Sequence, residues 1–227
     1  MANFYLAAVN NMKLFGVLFL LFSLGSHTFA QGNPVDALAL VEERIYLLLA
    51  QIEALKVEPS VADNQKLDLV EDVIGEVVDF KRISRRVMAK YYKKASKEQK
   101  QTFLKVFKQS LLNTYAKGLW EFEDYKIRLK PLRSAHQSQR NTLVEFEVVT
   151  ASGQVFPVTQ SLYFHKKQKR WLVQNVIISG VNIGQLFRDQ FARLVNENNG
   201  DISLATKAWA GVIEASQNSS SADALSE

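Results

Sequence analysis

Ser96 to Phe122, SKEQKQTFLKVFKQSLLNTYAKGLWEF, is the stretch whose reading decides the fold. Ser96 followed three residues later by Gln99 spells a capping box, in which a hydroxyl and an amide each satisfy a backbone N–H orphaned at a helix start. Beyond it Phe103, Phe107, Leu111, Tyr115 and Leu119 recur every fourth residue, and Leu104, Leu112 and Phe122 widen the stripe. At 3.6 residues per turn this is one apolar face of a helix about seven turns long. Phe103, Phe107, Tyr115 and Trp120 are many rings for one helix. A large apolar body must lie against them, either the rest of the protein or a ligand.

Helical spacing also holds upstream. Asn33-Pro34 supplies a capping residue and then proline at the first helical position, where its missing N–H costs nothing. The helix it opens runs to about Lys56 through Leu38, Val41, Ile45, Leu48, Leu49 and Ile52, and Glu58-Pro59-Ser60 interrupts it. A second helix is expected from about Asn64 to Val78, and Asp79 caps a third through Ile83, Val87 and Tyr91.

Downstream the period changes to two. Tyr125, Ile127 and Leu129 alternate with Lys126, Arg128 and Lys130; Val144, Phe146 and Val148 alternate with Glu145 and Glu147. Ala151-Ser152-Gly153-Gln154 turns into a third strand, Val155 to Phe164, and Lys166 to Arg170 turns into a fourth, Trp171 to Ser179. Pro157 lies within the third strand and predicts an edge or a bulge there. Helical spacing returns at Ile183, Phe187, Phe191 and Val195, stops at Asn198-Asn199-Gly200, and resumes from Asp201 to about Ala215. The expected class is α+β, with helices packed over one face of a four-stranded, mainly antiparallel twisted sheet.

The first thirty residues read as a secretory signal peptide: Lys13, an apolar run from Leu14 to Leu24, then small residues at Thr28 and Ala30 flanking Phe29. Met12-Lys13 begins that pattern as naturally as Met1 does. Removing 1–30 from the 227 residues leaves 197, with 27 Lys and Arg against 23 Asp and Glu. That is enough for one domain, expected over 31–217, followed by a polar, disordered tail at 218–227. The chain has no cysteine, so neither disulfides nor lipid acylation of a cysteine enter.

Catalytic patterns are missing. Beyond the signal segment the histidines are His136 and His165, too few for a zinc site, and there is no Gly-x-Ser-x-Gly elbow, phosphate loop or dinucleotide fingerprint. Glu121, Glu123, Glu145 and Glu147 alternate with apolar neighbours, as a solvated strand face does. Two features remain. Lys81, Arg82, Arg85, Arg86, Lys90, Lys93, Lys94, Lys97 and Lys100 make a basic concentration, either a solvated helical face or a surface for phosphates or an anionic membrane. Export disfavours nucleic acid as its partner. The second feature is the apolar excess on the long helix and the strands, either core or the lining of a cavity.

Tyr91-Tyr92-Lys93, Ser96-x-x-Gln99 and the stripe from Phe103 to Leu119 resemble the MlaC family, periplasmic phospholipid carriers also known as toluene-tolerance auxiliary proteins. Trp171-x-Val173, Asn175-Val176, Gly180-Val181-Asn182 and Arg188-x-Gln190-Phe191 extend the resemblance, which covers about Val70 to Gln217. It implies a soluble, monomeric shuttle in the periplasm of a Gram-negative bacterium, with no enzymatic activity and no cofactor. Its cargo would be a phospholipid held in a deep apolar cavity between helices and sheet. Its implied partners are an inner-membrane ABC transporter bearing an MCE-domain ring and an outer-membrane lipoprotein–porin complex, a route that maintains outer-membrane lipid asymmetry. Carried onto that fold, the apolar pattern places Phe103, Phe107, Leu111, Tyr115, Phe146, Val148, Leu162, Phe164, Val173, Val181 and Phe187 at the cavity wall. A periplasmic scaffold of the same shape with a filled core, or a carrier of another lipid such as a hopanoid, is the alternative.

Overall fold

Hydrogen bonds at the helix starts match the capping residues. The computed structural model describes residues 32–56, 62–121 and 126–211, except the side chains at 55, 56, 63, 114, 115 and 117–121. The expected signal segment, the tail, Tyr125 and Phe122 lie outside them. Helix α1 spans Pro34–Lys56, and Asn33 Oδ1 accepts the Val35 N–H at 3.1 Å. Helix α2 spans Asp63–Ile74. It stops four residues short of the expected Val78 because the backbone there is committed to the sheet: Val173 N–H donates to Val77 at 2.8 Å and Asp79 N–H donates to Val173 at 3.1 Å.

Asp79 caps α3 (Phe80–Met88), accepting the Arg82 N–H at 2.8 Å. The expected third helix breaks at Ala89, whose φ of 45° turns the chain into the short α4 (Lys90–Lys94). Nothing in the apolar spacing marks that break, since Val87 and Tyr91 are both buried and four residues apart. Helix α5 (Lys97–Glu121) begins on the capping box, with Gln99 N–H to Ser96 Oγ at 3.1 Å and Ser96 N–H to Gln99 Oε1 at 2.9 Å.

The sheet is an antiparallel meander in the order β1 to β5: β1 Lys126–Leu129, β2 Asn141–Val149, β3 Val155–His165, β4 Arg170–Ile178 and β5 Val181–Asn182. The sequence reading counts four strands and overlooks β5. That two-residue strand exists because Ser179 and Gly180, both at positive φ (49° and 83°), form the tight turn that returns the chain onto β4. Pro157 contradicts the expected edge, since β3 is central. Its carbonyl accepts from Ser179 N–H at 2.8 Å, so its missing donor faces β4 where that ladder ends, beyond the Val158–Ile178 pair.

The bulge lies elsewhere. Ser161 pairs with Asn175 and Leu162 with Val173, which leaves Gln174 as an extra residue of β4. One extra residue inverts the alternation beyond it. Trp171 and Val173 therefore share a face with Val176 and Ile178, not with Asn175 and Ile177. Helix α6 (Ile183–Glu197) follows β5, capped by Asn182, whose Oδ1 accepts the Gln185 N–H at 3.0 Å. It ends at Asn198 and Asn199, with Gly200 at φ 86° donating to Val195 at 2.8 Å. A helix α7 over 202–211 is capped by Asp201.

Candidate lipid-binding site

Burial divides the apolar side chains into two clusters. In the helical cluster Phe103 and Phe107 of α5 are fully buried and stack among rings from α6 and α7. Phe103 lies 4.4 Å from Phe191 and 5.7 Å from Trp209, and Phe107 lies 5.7 Å from Trp209 and 5.8 Å from Phe187. The predicted ring stripe thus meets the protein's own rings. The second cluster coats one face of the sheet: Val144 and Phe146 on β2, Val158 and Leu162 on β3, Trp171 and Val173 on β4. Helix α1 crosses it with Ala37 and Val41. Val78 touches both clusters.

The two clusters differ in closure. Among the described residues the helical one has nineteen buried apolar residues to eleven half-buried, whereas the sheet one has eight to eleven. The apolar face of the sheet therefore extends past the lid that α1 provides. Leu38, Leu40 and Ile45 of α1 and Val148, Phe164, Val176 and Ile178 of the strands form that half-buried margin. The α1 residues and Val176 and Ile178 were not among the residues expected at a cavity wall; the docking partner of the α1 stripe is not written in its spacing, and the Gln174 bulge is what brings Val176 and Ile178 into phase with Val173. The polar Asn175 interrupting the alternation was the available signal.

Two features fix α1 at its start. Trp171 Nε1 donates to the Asn33 carbonyl at 2.9 Å, and Gly32 N–H donates to Gln139 at 3.1 Å. Gly32 lies so close to Phe164 and Trp171 that a Cβ would meet both rings at 2.6 Å. Arg44 sits at mid-helix, its guanidinium 3.5 Å from Glu76.

On β2, charge is kept off the apolar face. Glu145 and Glu147 point to the opposite side, where Arg133 lies 3.0 Å from Glu145 and Lys130 lies 2.6 Å from Glu147. The Lys130 hydrogen bond holds the Glu147 carboxyl below the usual carboxylate range. Helix α3 crosses that same side on a polar network, so helices lie on both faces of the sheet and not on the one face expected. Tyr163 donates to Asp79 Oδ2, the Arg82 guanidinium stacks 4.1 Å from the Tyr163 ring, and Arg82 Nε donates to Gln174 at 3.0 Å. Burial, then the bond to Asp79, pushes the Tyr163 phenol up to about 12. No group of three or more His, Asp or Glu among the described residues is arranged to hold a metal.

The residues assigned to a cavity wall thus separate. Phe103, Phe107, Leu111 and Phe187 belong to the helical cluster; Phe146, Val148, Leu162, Phe164 and Val173 belong to the sheet cluster. Val181 is 51% exposed on β5 and joins neither, and the side chain of Tyr115 lies outside the described residues. A sequence profile described as MlaC protein matches residues 45–210. The chain belongs to the MlaC family. It is 34% identical over 199 residues to the Pseudomonas putida "Toluene tolerance protein ttg2D", covering 87% of this chain and 89% of that protein. Its fold is similar to that of a phospholipid-binding protein from Ralstonia solanacearum solved in complex with a phospholipid. That match has a TM-score of 0.68 at 24% identity and covers 80% of this chain and 98% of the other. MlaC proteins are non-catalytic, lipid-binding and periplasmic. Among the described residues no helix is long and apolar enough to cross a membrane.

Proposed function

We propose that this chain is a periplasmic carrier whose cargo is a phospholipid, with the acyl chains lying on the apolar sheet face beneath α1. The observation that carries this reading is the half-buried margin of the sheet cluster, an apolar surface larger than its own cover. Phe146, Val148, Leu162, Phe164 and Val173 are the wall, and Phe103, Phe107, Leu111 and Phe187 are core that supports it from the helical side. The two chains of a phospholipid contain ~30 methylenes at roughly 0.8 kcal/mol each, so exposing them to water would cost on the order of 24 kcal/mol. A carrier must cover nearly all of that surface, yet a strong grip on the headgroup would oppose release. A wall of apolar side chains without ionised groups meets both demands.

An N-terminal signal exports the chain. On this reading it moves lipid between the outer membrane, where it meets a lipoprotein–porin complex, and an inner-membrane ABC transporter bearing an MCE-domain ring. The relative named for toluene tolerance and the fold shared with a phospholipid-bound protein support that role. The test is to extract the purified protein with organic solvent and identify the extract by mass spectrometry. About one phospholipid per chain is expected, together with a lower melting temperature after delipidation, because a ligand bound only by the folded state stabilises it. Absence of lipid, with a melting temperature indifferent to delipidation, overturns the reading in favour of a scaffold.

A further inference from the structure

Charge along this chain is concentrated in one segment. Residues 81–100 hold nine Lys and Arg with the single acid Glu98, a balance of +8; the other 207 residues hold 19 Lys and Arg against 22 Asp and Glu, a balance of −3. The positive excess of the protein therefore resides wholly in α3, α4 and the first turn of α5. The three elements meet at Tyr92 of α4, whose ring Arg85 of α3 and Lys100 of α5 approach at 5.4 and 4.8 Å. Arg82 is drawn into the network with Tyr163 and Gln174. Arg85, Arg86, Lys90, Lys93, Lys94 and Lys97 remain exposed, and among the described residues no carboxylate lies within ion-pair distance of any of them. Partial burial and then the charge of Arg82 lower the Arg86 pKa, against the opposing charges of Tyr163 and Asp79.

We propose that this face docks reversibly on the anionic headgroup surface of a lipid bilayer. A protein partner is ordinarily anchored by aromatic side chains that enter its pockets. Here both candidate anchors are engaged within the fold: Tyr91 is 8% exposed and donates to Asn196, and Tyr92 is half-buried under two cations. Six of the nine cations are lysines, point charges suited to a diffuse layer of phosphates rather than to bidentate pairing with carboxylates. With no apolar wedge in the patch, the attraction is electrostatic, shallow and salt-labile.

Flotation of the purified protein with vesicles of phosphatidylcholine alone, or of phosphatidylcholine mixed with phosphatidylglycerol, tests this. Association is expected only with the mixed vesicles, and it should fall steeply as the screening length shrinks from ~10 Å at 0.1 M salt to ~3 Å at 1 M. Neutralising Lys93, Lys94 and Lys97 to Gln together should weaken it about 100-fold, at about fivefold per cation. The control triple Lys126→Gln, Lys166→Gln and Lys167→Gln changes net charge equally and should bind as the unaltered protein does. Equal loss in both triples would reduce the effect to bulk charge and overturn the proposal. So would failure of the unaltered protein to bind the mixed vesicles, and its retention on immobilised polyglutamate in that case would assign the face to an acidic protein. The readout does not involve cargo, so it stands or falls separately from the lipid-carrier reading.

Discussion

Ala89 holds φ 45° and ψ −120°, a backbone conformation suited to glycine, because α3 must end and α4 must start at a sharp angle there. Such a residue stores about 1–3 kcal/mol of strain. Ala89→Gly is therefore expected to stabilise the protein by about 1 kcal/mol, the relief exceeding the added freedom of the unfolded chain, as read from the urea midpoint. Tyr163 is the second informative residue, because its hydroxyl and ring tie α3 to the sheet through Asp79 and Arg82. Tyr163→Phe should cost about 1–2 kcal/mol. The folded state binds that phenolic proton more tightly than the unfolded chain, where the pKa is 10.0. Stability from this group is thus complete below pH 10 and disappears as pH rises to about 12. Absorbance at 295 nm should show one late-titrating tyrosine that the Phe variant lacks.

At the level of elements, α1 is the piece that decides whether the apolar sheet face is covered. Its fit depends on Gly32, which has no side chain to hold it away from Phe164 and Trp171. Gly32→Ala should displace the start of the helix and cost about 1–3 kcal/mol, visible as a lower melting temperature and stronger acrylamide quenching of the tryptophan fluorescence as Trp171 becomes exposed. Strand β4 is the other decisive element. The capping residues of α1, α3 and α5 were legible because each acts on backbone groups within three residues of itself. The bulge at Gln174 was marked only by the polar Asn175 breaking the alternation, since an extra residue is defined only against the partner strand. The same holds for β5, which consists of two residues and exists through its pairing with Ile177 and Ile178.

For the molecule as a whole, the helical cluster and the sheet cluster should respond differently to substitution. Phe107 is fully buried among rings, so Phe107→Ala should cost about 3–5 kcal/mol and lower the yield of folded protein. Val148 is half-buried on the margin of the sheet cluster. Val148→Glu should leave the far-ultraviolet circular dichroism unchanged while reducing the phospholipid recovered per mole of protein. If Val148→Glu retains its lipid in full, the sheet face is not the wall.

The sequence by itself determined the existence of most helices, the caps of α1, α3 and α5, the switch to strands beyond α5, and the α+β class, because periodicity and capping are written in residues close together along the chain. It also determined the charge excess at 81–100. Only the tertiary structure decided which apolar residues share a cluster. The Phe103–Phe107 stripe reads the same whether it faces a ligand or Phe191 and Trp209, and those rings lie some ninety or a hundred residues away. An apolar pattern records that water is excluded from a side chain; what excludes it is a matter of packing between distant segments.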